Sequence, residues 1–216
     1  MSDSKTCICI SGVDGCGKSF ITNHLIKSFS KKKKYVHVWS RFKNYFSKPL
    51  LLLTRITGHS YTRFSMGIKI RYHDFYKSNF ISFTFLFFQW IDQFFEIIFR
   101  FKFTKNSIIS DRSIFDTLVD LSIDTRKEKF IFGNYAKTLL FFMPRNTHYF
   151  VIDRKTILIK KKRKDALIDK NFNRRKKLYK SIVKKYPITF LYNNSEIRVI
   201  ENAIKKKLIN EFEILS

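Results

Sequence analysis

Short apolar runs rich in β-branched and aromatic residues alternate with longer segments of helical periodicity along the chain. The runs predict five strands, at residues 5–11, 35–39, 107–110, 147–153 and 188–192. The helical spacing predicts helices at residues 19–29, 79–103, 130–142, 155–163 and 195–208, and one between residue 113 and about residue 121. Strands that alternate with helices are typical of a parallel sheet with helices on both faces, so we expect a three-layer α/β fold.

Two segments carry weaker patterns. Between residues 42 and 78 the signals are mixed, because Pro49 and Gly58 interrupt a short apolar stretch, and the pattern sets no boundaries there. A basic stretch within residues 153–180 is predicted to be helical or unstructured and to form a lid-like segment. Near the C-terminus, Ser195 is predicted to cap the last helix.

Length and composition predict one domain that spans residues 1–216, because a chain of this size suits a single α/β core. The start of the chain has no charged-then-apolar signal region, which indicates a cytoplasmic location. The apolar segment 79–103 is interrupted by Asp92, Glu96 and Arg100, so no membrane span is expected. The three cysteines lack the spacing of a disulfide framework or a zinc site.

The formal net charge of +26 suggests nucleic acid or an anionic membrane as a partner. The chain is also rich in Phe, Ile and Asn and has only 6 Gly and 3 Pro, so part of the lysine excess reflects composition rather than function. No nucleic-acid recognition motif stands in the sequence, and we therefore expect no stable nucleic-acid partner. A positive field would equally attract polyanionic nucleotides.

The sequence GVDGCGKS at residues 12–19 fulfils the pattern G-x-x-x-x-G-K-S/T between a predicted strand and a predicted helix. In such a loop, backbone N–H groups surround phosphate oxygens, the lysine reaches the β- and γ-phosphates, and the hydroxyl ligates Mg²⁺. The motif predicts binding of ATP with Mg²⁺ as the cofactor. The predicted ATP-binding residues are Gly12, Val13, Asp14, Gly15, Cys16, Gly17, Lys18 and Ser19.

Three charged residues stand at the carboxyl ends of other predicted strands, at the same sheet edge as the glycine loop. Asp111 is a candidate to organise Mg²⁺ or its waters, and Arg112 a candidate to hold a phosphate. The alternative for this pair is a helix-capping aspartate beside a surface arginine. Arg41 suits an acceptor that is already an anion, which favours a nucleotide over a nucleoside, unless it is simply an exposed charge.

Four segments resemble the thymidylate kinase family of P-loop nucleotide kinases. They are GVDGCGKS, HVWSRF at 37–42, IISDRSIFDTLVDL at 108–121 and RKDALIDKNFNRRKKLY at 163–179. The resemblance implies a P-loop NTPase fold with a five-stranded parallel sheet, Mg-ATP as donor, thymidine monophosphate as acceptor, and a homodimer. It also implies that Lys18 is catalytic, together with Asp111, Arg112 and the lid residue Arg163.

The same resemblance assigns the acceptor and the lid. Asp14 would contact the acceptor sugar, Arg41 and Arg112 its phosphate, and Asp111 and Ser19 the metal. Arg163 is the nearest candidate among the lid arginines that close over the donor phosphates, with Arg174 and Arg175 behind it, although a basic run of this kind also suits a solvated face.

The chain departs from the family at the acceptor base. The family has an arginine in the helix before Asp-Arg that contacts thymine, whereas the stretch LFFQWIDQF at 86–94 has none. Phe87 is the candidate to contact the acceptor instead, and Gln89, Trp90 and Gln93 are further possibilities. Core or subunit packing is the alternative for the aromatic residues. The triplet Asp-Arg-Ser resembles the deoxynucleoside kinases, so a deoxynucleoside or other small-molecule kinase stays open, as does a catalytically weak nucleotide- or nucleic-acid-binding protein.

Overall fold

The computed structural model describes residues 5–30, 34–40, 44–194 and 196–214 of the chain. Its strands are β1 (Cys7–Ser11), β2 (Tyr35–Trp39), β3 (Ser60–Ser65), β4 (Ile68–His73), β5 (Ser107–Asp111), β6 (Thr147–Asp153) and β7 (Ile188–Tyr192). Its helices are α1 (Lys18–Phe29), α2 (Lys48–Ile56), α3 (Asn79–Glu96), α4 (Ile114–Thr125), α5 (Asn134–Phe142), α6 (Thr156–Lys162), α7 (Lys164–Ile168), α8 (Phe172–Lys185) and α9 (Ile197–Ile214).

The main sheet has the order β2-β5-β1-β6-β7, and within the described ranges all of its five strands are parallel. Every residue of β1 and β5 is buried, because helices pack around the sheet and cover these central strands. This arrangement confirms the predicted α/β, P-loop NTPase fold. The predicted strand at 107–110 extends one residue further and includes Asp111.

The parallel register places the functional ends of the strands side by side. Asp111 pairs with Ile10 of β1 on one side and with Trp39 of β2 on the other. The glycine loop that follows β1 and the turn that follows β5 therefore leave the sheet at the same edge. This is the edge where ligands bind in open parallel sheets.

The mixed segment 42–78 forms α2 and an antiparallel hairpin of β3 and β4. The turn of this hairpin is Met66-Gly67, with φ values of +51° and +74°. Two-residue hairpin turns favour positive φ at both positions and are usually signalled by Asn-Gly or Asp-Gly. Met66 stands where Asn or Asp is usual, so this turn carries no sequence signal of a hairpin.

The phenylalanine-rich segment is helical as predicted, with α3 continuing into a π-helical turn at Ile97–Lys102. By length and composition alone, residues 79–102 could cross a membrane, with a mean hydropathy of 1.2 over 18 residues. Half of that stretch is buried in the protein, where α3 packs against α4 and α5. The basic segment is also helical, as α6, α7 and α8. Ser195, the predicted cap of the last helix, lies outside the described residues.

Candidate phosphate-binding cleft

The glycine loop between β1 and α1 has a backbone that only glycine adopts readily. Gly12, Gly15 and Gly17 have φ values of +142°, +86° and +103°. A Cβ on Gly12 would overlap the carbonyl oxygen of Ile152 on β6, and one on Gly17 would overlap the amide of Asn193. Val13 and Cys16 point into the core. The loop is therefore clamped between β6 and the end of β7.

Asn193, which follows β7, is a contact that the sequence did not predict. Its side-chain Nδ2 donates a hydrogen bond of 2.6 Å to the carbonyl oxygen of Cys16. Its own N–H donates to the carbonyl oxygen of Asp153 at 2.7 Å, which ties the end of β7 to the end of β6. Asn193 thus holds the last turn of the glycine loop against the sheet.

Lys18 is the first residue of α1 and its side chain is only 5% exposed. Its Nζ donates hydrogen bonds to the carbonyl oxygens of Gly12 (2.7 Å) and Val13 (2.9 Å) and lies 3.6 Å from the carboxylate of Asp14. The first turn of α1 carries no acidic residue, so the positive end of the helix dipole is not compensated by the helix's own side chains. The ammonium group and the helix end together favour an anion at this point.

Ser19 and Asp111 meet beside the lysine. The Ser19 hydroxyl donates a 2.5 Å hydrogen bond to Oδ2 of Asp111. Oδ1 of Asp111 is buried and has no hydrogen-bond partner among the described residues. A hydroxyl beside a carboxylate with one unsatisfied oxygen fits Mg²⁺, which prefers oxygen ligands and is usually held by one or two carboxylates plus phosphates.

Arg112 adopts a backbone conformation that is unusual for any residue with a side chain, with φ +95°. Such strain concentrates at functional sites. Its N–H donates to the carbonyl oxygen of Ile10, which fixes the turn against β1. Its guanidinium forms ion pairs with Asp14 and, at 3.5 Å, with Asp116. The guanidinium therefore faces the glycine loop across the cleft.

Asp116 supports Arg112 from the first turn of α4. Its carboxylate accepts hydrogen bonds from the N–H of Ser113 (2.9 Å) and from the hydroxyl of Tyr179 on α8 (2.8 Å). Ser113 caps α4, so Asp111 is a cleft residue and not a helix cap. Burial alone would lower the pKa of Arg112, but the carboxylates of Asp116 and Asp14 outweigh it and raise the pKa above its ordinary value. Arg112 is accordingly a permanent cation.

The cleft has a volume of about 400 Å³ and is lined by the glycine loop, Arg112, Phe20, Trp39, Lys162 and Arg163. Arg163 lies over the loop, since a Cβ on Gly15 would come within 3.0 Å of its Cγ. Its guanidinium is about half exposed and bonds both oxygens of Asp165, at 2.8 and 2.6 Å. The structure thus brings together six of the residues that the sequence singled out, namely Asp14, Lys18, Ser19, Asp111, Arg112 and Arg163.

Other predicted residues lie elsewhere. Arg174 pairs with Glu128, and Arg175 pairs with Asp120 and Asp169, so neither lines the phosphate cleft. Arg41 lies outside the described residues.

The position of Phe87 does not fit the contact with an acceptor that the sequence predicts for it. Its side chain is 61% exposed on α3 and is absent from the lining of the described clefts, whereas Phe85 does line one. Gln89 is fully buried and donates to Asn44 and Ser47, both at 2.6 Å. Trp90 donates to Thr138 on α5. The side chains of Gln89 and Trp90 therefore hold α3 against its neighbours. The sequence did not indicate which face of α3 is buried, because nearly all residues of this helix are apolar or aromatic.

Three features define a P-loop α/β protein with a candidate phosphate-binding cleft. They are the order of the parallel sheet, the glycine loop after its central strand and the buried lysine at the start of α1. No family model matches the chain, and no curated protein matches it.

Solved structures match the fold at low identity. A thymidylate kinase from Ehrlichia chaffeensis is 16% identical, with 95% of this chain and 99% of that chain covered, at a TM-score of 0.54. Deoxyadenosine kinase from M. mycoides with bound dATP is 16% identical over 94% and 98% of the two chains, at 0.50. The YorR protein from Bacillus subtilis, in complex with phosphorylated GDP, is 14% identical over 96% and 98%, at 0.51. The chain therefore has the fold of these P-loop proteins.

Proposed function

We propose that the chain transfers the γ-phosphoryl group of Mg-ATP to a nucleotide, with thymidine monophosphate as the acceptor and its diphosphate as the product. The observation that carries the proposal is the meeting of Lys18, the Ser19–Asp111 pair and Arg112 in one cleft. Phosphoryl transfer depends on alignment and on stabilisation of charge more than on covalent help from the protein. These residues supply both the alignment of the reacting phosphates and the stabilisation of their charge.

Each residue has a role in this proposal. The loop amides and Lys18 bind the donor phosphates, and Ser19 and Asp111 would hold Mg²⁺, which neutralises phosphate charge when bound. Arg112 aligns the acceptor phosphate, and Arg163 closes over the donor phosphates. Asp14, beside Arg112, would contact the acceptor sugar. Arg41 keeps its assignment to the acceptor phosphate from the sequence alone.

A deoxynucleoside kinase is the second candidate, because the ion pair of Asp14 and Arg112 brings a carboxylate into the cleft. Transfer to a sugar hydroxyl requires a group that accepts the hydroxyl proton, and a carboxylate can do so. Transfer to a phosphate oxygen has no such requirement. The nature of the acceptor thus separates the two candidates.

The test is a coupled assay of ADP formation with Mg-ATP and a panel of acceptors, namely nucleoside monophosphates, nucleosides and unrelated phosphates. The proposal predicts rapid ADP formation with thymidine monophosphate. ADP formation with nucleosides alone would replace it with the second candidate. No ADP with any acceptor, together with steeply salt-dependent binding to DNA or RNA, would indicate a nucleic-acid-binding protein instead.

We also propose that two copies of the chain associate, as the thymidylate kinase resemblance implies. An exposed row on α3 consists of Phe80, Phe83 and Phe87. Contiguous exposed apolar surface of this kind marks sites of interaction with other proteins. Sedimentation equilibrium is expected to give a dimer, and Phe83→Glu to shift it to a monomer. A monomeric wild-type protein would contradict this assignment.

A further inference from the structure

A second cleft of about 400 Å³ lies next to the phosphate cleft. Its lining comes from β2, α2, β4, α3, α4 and α8, and includes Trp39, Arg71, His73, Phe85, Asp124 and Arg175. Trp39 lines the phosphate cleft as well. A further cleft of about 310 Å³ contains both Asp14 and Asp124. The space beside Asp124 therefore adjoins the place where the proposed function requires an acceptor.

The carboxyl group of Asp124 differs from those of its acidic neighbours Asp120 and Asp169. Asp120 and Asp169 both bond the guanidinium of Arg175, at 3.1 and 2.5 Å. In the described ranges, no hydrogen bond or ion pair is formed by the carboxyl group of Asp124. The chain has 43 Lys and Arg against 17 Asp and Glu, so a cation was readily available for pairing. The carboxyl group of Asp124 is therefore available to form hydrogen bonds with a molecule in these clefts.

The surroundings of Asp124 favour its neutral form. Burial raises its pKa well above the ordinary value, and the carboxylates of Asp120, Asp74 and Asp169 raise it further, against the opposing effect of Arg175. Arg55 of α2 and Arg71 and His73 of β4 face the same cleft. Burial first, then Arg71 and Arg55, lower the pKa of His73 to about 4, so this imidazole is neutral at pH 7. A neutral carboxylic acid presents one donor beside one acceptor.

We propose that Asp124 binds the base of the acceptor nucleotide through an edge that presents one hydrogen-bond donor beside one acceptor. This inference rests on the proposed function. In thymine, N3–H would donate to the carboxyl group and O4 would accept its proton. Phe85, from α3, lines the same cleft and offers an apolar surface for the ring.

The test measures acceptor binding by titration calorimetry and turnover by ADP formation, on wild type, Asp124→Asn and Asp124→Ala. The probes are the four deoxynucleoside monophosphates and the N3-methyl derivative of thymidine monophosphate. An amide also offers a donor beside an acceptor, so Asp124→Asn is expected to bind the preferred monophosphate within about 3-fold of wild type. Asp124→Ala is expected to bind it at least about 10-fold more weakly, with ATP affinity unchanged in both.

The pH dependence separates this role from a structural one. Wild-type affinity for the preferred monophosphate is expected to fall as the pH rises through the pKa of the carboxyl group, whereas Asp124→Asn is expected to show no such fall. The inference is overturned if Asp124→Ala binds the monophosphate as wild type does, or if Asp124→Asn is as weak as Asp124→Ala. It is also overturned if no monophosphate binds. Binding that depends on Asp124 without ADP formation would instead reject the proposed function and leave this inference standing.

Discussion

The substitution Gly12→Ala tests the geometry of the phosphate loop most sharply. The added Cβ would lie about 1 Å closer to the carbonyl oxygen of Ile152 than an ordinary van der Waals contact allows. This oxygen belongs to the backbone of β6, so it cannot move aside as a flexible side chain would. Either β1 and β6 separate at this end, or the loop shifts by about the same distance.

The expected cost has two parts. The positive φ of Gly12 is unfavourable for alanine by about 1–2 kcal/mol, and the backbone clash adds strain of about 1–3 kcal/mol. A loop displaced by about 1 Å would also lose about 100-fold in phosphoryl transfer. We expect Gly12→Ala to lower the free energy of unfolding by about 2–5 kcal/mol and to abolish most ATP binding.

Gly67→Ala is the matched control, because Gly67 also has a positive φ (+74°) but its Cβ would meet nothing within 4 Å. It is expected to cost only about 1 kcal/mol and to leave ATP binding unchanged. Urea unfolding and calorimetric titration with Mg-ATP measure both effects. Equal destabilisation by the two substitutions, with ATP binding retained in both, would refute the clamped-loop geometry.

Two further outcomes follow from the structure. Arg163→Ala is expected to reduce turnover by about 10- to 1000-fold. Its free energy of unfolding should change little, because the exposed ion pair of Arg163 with Asp165 contributes less than about 1 kcal/mol. Arg174→Ala is the control and should retain turnover, because Arg174 pairs with Glu128 outside the cleft. His73 has a pKa of about 4 in the folded protein, against about 6.5 when unfolded, so the unfolded chain alone gains a proton as the pH falls through this window. Between pH 6.5 and pH 4, wild type should therefore lose up to about 3 kcal/mol of unfolding free energy that His73→Gln does not lose. Urea unfolding at the two pH values measures this difference. Equal losses in the two proteins would contradict a buried, neutral His73.

The phosphate cleft was predictable because its residues follow local rules. The spacing of Gly12 to Ser19 encodes both the turn and the start of α1. Asp111 and Arg112 directly follow an apolar strand, and parallel strands bring their carboxyl ends to one edge. Each inference needed only a few neighbouring residues, and the sheet order confirms the fold that they imply.

The cleft beside Asp124 was not predictable in the same way, because it is assembled from distant segments. The hairpin of β3 and β4 contributes His73, and its Met66-Gly67 turn lacks the usual signal. One signal was present: Asp116, Asp120 and Asp124 recur every four residues and so lie on one face of α4. That spacing marks the face of α4 that supports Arg112 and lines the clefts.

The central claim is that Lys18 and the glycine loop bind a triphosphate whose terminal phosphoryl group is transferred. The most direct measurement follows the label of γ-labelled ATP onto thymidine monophosphate, with wild type and Lys18→Met compared at equal fold content by circular dichroism. We expect label transfer by wild type and a loss of at least about 100-fold in the variant, because methionine keeps the buried stem of the side chain and removes only its charge. Equal transfer by both proteins would contradict it.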